Sequence, residues 1–357
     1  MRIHIFWTDI SGYMSSCWRA MSHREGVDVR VAAYDSSQAT AFSHSLMEGV
    51  NWLPLNEADR FDASLLARHV QEFNPDVVIL AGWLNRAYRS LTWRREFRHI
   101  RFFMGMDTPW RGTFRQHLAR YALRGYLSHI DVAMVTGERS WQYARRLGFA
   151  ESHIRRGVYG VDYAALSRLH QQRLAAGPWP RQFLFAGRYA PEKGLDVLLD
   201  AYSQYARSVE HPWQLVCCGK GPLAETLRGH NGVVDRGFLQ PHEVHAEMVR
   251  SGAFILPSRY DPWPLALVES CAAGLPVICS NACGSAVEIV RDAYSGFTFA
   301  TGDSGELHKT LLRVHHSREL AAIGGRAREF AAPYSAEEWA TRWLSAAAEV
   351  CGEKKSR

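Results

Sequence analysis

Lysine is missing from residues 1–175 of this 357-residue chain, where 23 arginines face 16 acidic residues, a balance of +7. The remainder carries 19 basic (42 − 23) and 20 acidic (36 − 16) residues, a balance of −1, so the net charge of +6 sits in the first half as guanidinium. No apolar run reaches the ~20 residues that cross a bilayer, which argues against a membrane span. The start, Met1 to Trp7, has too short an apolar stretch for a signal peptide and reads as a first β-strand. The seven cysteines are odd in number and several lie in apolar stretches. Reduced thiols and a cytoplasmic location follow, not a disulfide framework. Cys279 and Cys283 have no second Cys/His pair, so no zinc or other metal site is expected. Ser258 lacks the flanking glycines of a nucleophile elbow, and no Ser-His-Asp arrangement stands out. No nucleic-acid-binding motif accompanies the arginines, so nucleic acid is not expected as a partner.

What is present describes an ordinary globular chain. Apolar residues make up 47% and charged residues 22%, and the length suffices for two domains. Short apolar runs alternate with helical patterns, which predicts α/β architecture with parallel sheets and crossover helices. The small-residue and proline-rich stretch from Ala175 to Pro180 resists regular structure and predicts a boundary there. That gives a domain over 1–176 and a second over 177–335. A C-terminal helix within 336–357, with Trp339, Trp343, Leu344 and Ala347 at helical spacing, is expected to rejoin the first. Between Arg86 and Arg124 lie ten arginines and two acids, Glu96 and Asp107, interleaved with aromatics such as Trp93, Phe114 and Tyr121. That segment admits two readings. One is a solvated arginine surface with its aromatics facing the core. The other is attraction to an anionic acceptor, or peripheral contact with an anionic membrane at its cytoplasmic face.

The chemistry concentrates in the second half. After the buried run Ala253 to Leu256 comes a loop holding Asp261, and a predicted helix then carries Glu269 eight residues on. A strand–loop–helix turn offers free amides and a positive helix end to phosphates. Carboxylates beside such a site suit the hydroxyls of a ribose or sugar. An earlier turn of the same kind follows the strand ending at Ala186, with Gly187, Arg188, Lys193 and Gly194 in its loop. Two cations there could neutralise a diphosphate.

Together these motifs carry a resemblance. The region from about residue 182 to 300 resembles the retaining glycosyltransferase family 4, which contains bacterial mannosyltransferases and sucrose-phosphate synthases. The Glu-x7-Glu element of that family stands here as Asp261-x7-Glu269, and its Gly-Arg-x4-Lys-Gly element as Gly187-Arg188 to Lys193-Gly194. Gly219-Lys220-Gly221-Pro222, Gly237-Phe238 and the run Ala273 to Ile278 also match. In the first half the match is looser, at Ser11-Gly12 and Gly160-Val161-Asp162.

The resemblance implies the GT-B fold, two doubly wound Rossmann-like domains facing across a cleft. It implies retaining, metal-independent transfer of a hexose-type sugar from a nucleotide-diphosphate donor to an acceptor hydroxyl in glycan or glycoconjugate biosynthesis, with no cofactor besides the donor. Arg188 and Lys193 would grip the diphosphate and Glu269 the ribose. Asp261 would bind the donor hexose, and the Leu265 and Ala266 amides would hold phosphate or sugar oxygens. Gly12 would let backbone approach the diphosphate, while Gly187, Gly219 and Phe238 border the nucleotide. The acceptor, a sugar, a lipid-linked glycan or a small molecule, would meet the first domain. Three positions depart from the family pattern. Asp261 replaces the usual Glu, Pro264 stands where Gly is common, and Met106 replaces a His, leaving Asp107 as the polar group in that place. A catalytically silent nucleotide-sugar-binding protein and a nucleotide-sugar isomerase are the rival readings.

Overall fold

The computed structural model describes residues 1–35 and 42–352. Its strands are β1 (Arg2–Trp7), β2 (Asp28–Tyr34), β3 (Trp52–Leu55), β4 (Val77–Ala81), β5 (Arg101–Met106), β6 (Val132–Val135) and β7 (Ile154–Arg156) in one sheet. A second sheet holds β8 (Gln182–Ala186), β9 (Gln214–Cys218), β10 (Val233–Asp235), β11 (Ala253–Leu256), β12 (Val277–Ser280) and β13 (Gly296–Phe299). All pairings are parallel. Helices cover both faces of a parallel sheet, so its inner strands read as unbroken apolar runs; Ala253–Leu256 is buried throughout.

The strand order is β3-β2-β1-β4-β5-β6-β7 in the first sheet and β10-β9-β8-β11-β12-β13 in the second. In each the chain winds outward one way, returns to the centre and winds outward the other way. The carboxyl ends of β1 and β4, and of β8 and β11, therefore flank a crevice no crossover helix covers, where α/β sheets bind ligands. Edge strand β3 has Pro54 inside it. An edge strand tolerates proline, since one side of it has no ladder partner.

The chain forms two compact units, Met1–Val161 with the segment from Ser335 onward, and Asp162–Tyr334. The crossing at Val161 differs from the expected boundary at 176/177. Helix Tyr163–Ala175 belongs to the second unit, where it buries Leu166, Leu169, His170 and Arg173. The Arg173 guanidinium donates to the carbonyls of Ala273 (2.9 Å), Gly274 (3.2 Å) and Met248 (2.7 Å). Burial pushes its pKa down to about 10, yet three carbonyl acceptors keep the cation in place. The proline-rich stretch lies inside the same unit, with the Trp179 indole donating to the Gly252 carbonyl at 2.9 Å.

Helix Ala336–Gly352 packs against helix Gly12–Ser22 of the first unit. Trp339 and Trp343, each 1% exposed, donate their indole N–H to the carbonyls of Val158 (2.7 Å) and Gly157 (3.2 Å). The backbone at Gly160 runs so close beneath that a Cβ there would lie 2.8 Å from Cys17 Sγ. Replacing Trp339 by Ala removes a large buried side chain and orphans the Val158 carbonyl. Trp339→Ala is expected to cost about 3–5 kcal/mol of stability in urea titration. A loss below about 1 kcal/mol would mean the terminal helix adds little to this unit.

Candidate functional site

The crevice of the second sheet opens where β8 and β11 end. The chain leaves β8 at Ala186 through Gly187 and Arg188, then makes a short 3-10 turn over Pro191–Lys193. Gly194 follows at φ +68°, and a Cβ there would lie 2.2 Å from the Pro257 carbonyl oxygen. Only glycine accepts both that backbone conformation and that approach. The loop after β11 is held against this turn, because the Glu192 carbonyl accepts the amides of Arg259 (2.7 Å) and Tyr260 (3.3 Å).

With the loops fastened, Lys193 and Asp261 meet. Lys193 Nζ lies 2.5 Å from Asp261 Oδ2, and the two side chains are only 16% and 10% exposed. Arg188 reaches further out, 72% exposed, and pairs with Glu192 at 2.7 Å. On the other side of Asp261, its carbonyl accepts the Gly284 amide at 2.9 Å, and a Cβ at Gly284 would lie 1.7 Å from the Pro262 oxygen. Ser285 Oγ donates to the Pro264 carbonyl at 3.2 Å. The acidic loop is thus clamped from both flanks.

Helix Leu265–Ala272 starts at this edge with Pro264 as its N-cap, and no side chain caps it. Proline brings no side-chain acceptor, so the first-turn amides of Leu265 and Ala266 are open to an anion at the positive helix end. Glu269 lies one turn in, part-buried. Its carboxylate has no hydrogen-bond or ion-pair partner among the described residues. Burial alone raises its pKa to about 7.

The Gly219–Pro222 turn packs on the β8 loop by backbone. Gly187 N donates to the Cys218 carbonyl (3.0 Å), Gly219 N to the Gly237 carbonyl (2.8 Å) and Tyr189 N to the Lys220 carbonyl (2.9 Å). A Cβ on Gly219 would lie 1.9 Å from the Gly187 oxygen. Phe238 flanks this turn with Lys220 Nζ 5.3 Å from its ring centre. Of the residues singled out from the sequence, Gly187, Arg188, Lys193, Gly219, Phe238, Asp261, Leu265, Ala266 and Glu269 all lie in the loops and the helix at this edge. Glu192, Gly284 and Ser285 were missed. Their only signals were a four-residue spacing from Arg188 and a Gly-Ser pair, both too common to stand out.

Gly12 and Asp107 belong to the first unit. Gly12 opens helix Gly12–Ser22 after β1, and Ser11 provides no side-chain cap. Asp107 follows β5 and accepts the Tyr159 hydroxyl at 3.0 Å. Tyr159 stacks edge-on against Trp7 (6.3 Å) and Tyr13 (5.8 Å). Asp107 thereby joins the β1 edge where Gly12 lies. It caps no helix, since the next one starts at Phe114 under Thr113. Met106 is 3% exposed and part of the core.

The Lys193–Asp261 pair generates a prediction. Lys193→Met alone strands a mostly buried carboxylate and is expected to cost about 3 kcal/mol, whereas adding Asp261→Asn recovers most of that loss. Purely additive losses in a denaturation double-mutant cycle would show that the two groups are not coupled.

Comparison with known proteins agrees with the architecture. Residues 168–329 match the family described as Glycosyl transferases group 1, and residues 11–160 match the Glycosyl transferase 4-like domain. An uncharacterized glycosyltransferase of Methanocaldococcus jannaschii is 28% identical over 164 residues, 43% of this chain and 44% of that protein. The sulfoquinovosyl transferase SQD2 of Arabidopsis thaliana is 27% identical over 220 residues, 58% of this chain and 41% of that protein. The matched segments span less than half the length of these relatives. In fold, the chain is similar to a sucrose-phosphate synthase from Thermosynechococcus elongatus (TM-score 0.75, 15% identity, 99% of each chain covered). It is also similar to HepE of Anabaena in complex with UDP and glucose (TM-score 0.72, 16% identity, 98% of this chain and 100% of that one). Two parallel α/β sheets and two family matches that together cover most of the sequence place this chain in the GT-B glycosyltransferase superfamily.

Proposed function

We propose that this chain is a retaining glycosyltransferase of family 4 that moves a hexose-type sugar from a nucleotide-diphosphate donor to an acceptor hydroxyl. One observation carries the reading: Arg188, the Lys193–Asp261 pair, the uncapped Leu265–Ala266 amides and Glu269 share the carboxyl edge of one sheet. Cations and amides there suit a diphosphate, and two carboxylates suit sugar and ribose hydroxyls. Lys193 Nζ has three donors and spends one on Asp261, which leaves the rest for phosphate oxygens.

In this reading the acceptor oxygen bonds to the anomeric carbon as the bond to the leaving phosphate oxygen breaks, and the electron pair departs with the nucleoside diphosphate. The acceptor proton passes to that phosphate oxygen. Negative charge builds there, and Arg188, Lys193 and the helix-start amides stabilise it at about 2–4 kcal/mol per contact. The chemistry therefore calls for no resident metal. In the first unit, Gly12 leaves the backbone at the β1 edge open to a diphosphate group, and Asp107 is the carboxylate there for a sugar or acceptor hydroxyl. The acceptor is a sugar, a lipid-linked glycan or a small molecule, and the work takes place in the cytoplasm. A silent donor-binding protein is the second reading, favoured by Met106 standing buried where the family carries a His. Turnover of any nucleotide-sugar rules it out.

Two measurements test the assignment. Arg188 is exposed, so Arg188→Ala keeps the fold, and transfer is expected to fall about 30-fold or more. Turnover within about twofold of the parent would remove Arg188 from the diphosphate site. An ionised Glu269 accepts ribose hydroxyls more strongly than the neutral acid does, and burial raises its pKa to about 7 in the free protein. Affinity for the nucleotide, screened with UDP, GDP, ADP and dTDP, is therefore expected to rise with pH through 7 and to lose that dependence in Glu269→Gln. The free protein should show the opposite trend. A raised carboxyl pKa adds stability in full below its unfolded value, and that stability disappears as pH climbs through about 7. Identical pH profiles for parent and Glu269→Gln in both assays would remove Glu269 from the ribose site.

A further inference from the structure

Helix Phe114–Ala122 has no buried residue. It touches the first unit's core through part-buried Ala119 and Leu123, the latter its C-cap. Phe114, Leu118 and Tyr121, spaced four and three residues apart, form one stripe on the opposite face. They are 78%, 48% and 71% exposed. The usual arrangement is reversed, with the small residue turned inward and large apolar side chains turned to solvent. Trp93, 51% exposed, extends the patch, its indole N–H donating to the Gly125 carbonyl at 3.3 Å. Monomeric proteins seldom show such a patch without a use for it.

The surrounding charge says what covers it. Arg115, Arg120 and Arg124 are exposed and enter none of the ion pairs among the described residues. Arg120 and Arg124 line a cavity of about 380 Å³ beside Tyr121, Ser128 and Gly148. An apolar stripe of Phe, Leu, Tyr and Trp flanked by unpaired arginines matches the interface of an anionic bilayer. The rings enter the headgroup layer and the guanidinium groups meet lipid phosphates. A protein partner would need an acidic surface with an apolar centre, and the vesicle experiment separates that case from lipid.

We propose that this face docks on an anionic membrane surface, with Phe114, Leu118 and Tyr121 inserted and Arg115, Arg120 and Arg124 on the headgroups. Docking needs neither donor nor turnover, and it stands or falls apart from the reading of the donor site. A surface held this way would bring the enzyme to a lipid-linked acceptor.

The experiment is co-sedimentation of the full chain with phosphatidylcholine vesicles, with and without phosphatidylglycerol, at low and high salt. Binding is expected to be at least about tenfold stronger on the anionic vesicles and to weaken with salt. Arg115→Gln, Arg120→Gln and Arg124→Gln together should cut it on the order of a hundredfold, at roughly fivefold per arginine. Phe114→Ser, Leu118→Ser and Tyr121→Ser together should cut it about tenfold with little change in melting temperature, because these side chains are about half exposed or more. Equal binding to neutral and anionic vesicles, or no binding at all, overturns the proposal. So does concentration-dependent self-association that the serine variant abolishes while vesicle binding is absent, since the face would then meet a second copy.

Discussion

A lysine and an aspartate from loops 68 residues apart, held in a mostly dehydrated ion pair, depend on everything around them being in register. Such a pair is not a source of stability by itself, because removing two charges from water costs about as much as their attraction returns. It persists here because the loops are locked by backbone. Gly194 sits against Pro257, the Glu192 carbonyl takes two amides, and Gly284 presses on Pro262. Glycine is required at those points because any side chain would push the loops apart. The chemistry of the site is therefore built on absent side chains as much as on charged ones.

The two units solve the same folding problem with different sequences. Each winds a parallel sheet outward from a central strand, and each leaves one uncovered crevice at the carboxyl edge. In the second unit that crevice gathers cations, carboxylates and an open helix start. In the first it gathers a glycine at a helix start and Asp107, tethered through Tyr159 to the aromatic residues beside β1. The described residues include no helix long and apolar enough to cross a membrane. On helix Phe114–Ala122, exposed apolar side chains and exposed guanidinium groups coincide.

Particular residues show where reading the chain succeeds and where it stops. Asp261, Glu269, Arg188 and Lys193 stood out because a strand, a short loop and a helix are consecutive in sequence, so their chemistry is local. The ion pair itself did not, since nothing in either segment reports the other's position. The expected boundary at 176/177 put helix Tyr163–Ala175 in the first domain; buried Arg173, donating to carbonyls about a hundred residues away, ties it to the second unit.

Composition and periodicity alone determined that this protein would be α/β with parallel sheets and that its charge would gather in the first half. These follow from local rules, in which side-chain period, backbone freedom and charge count need no distant partner. Tertiary structure alone decided three things. It placed the crossing between units at Val161, matched Lys193 with Asp261, and turned Phe114, Leu118 and Tyr121 outward. Each depends on which surfaces meet, and an amphipathic pattern states that a helix has two faces without saying which one the core will take.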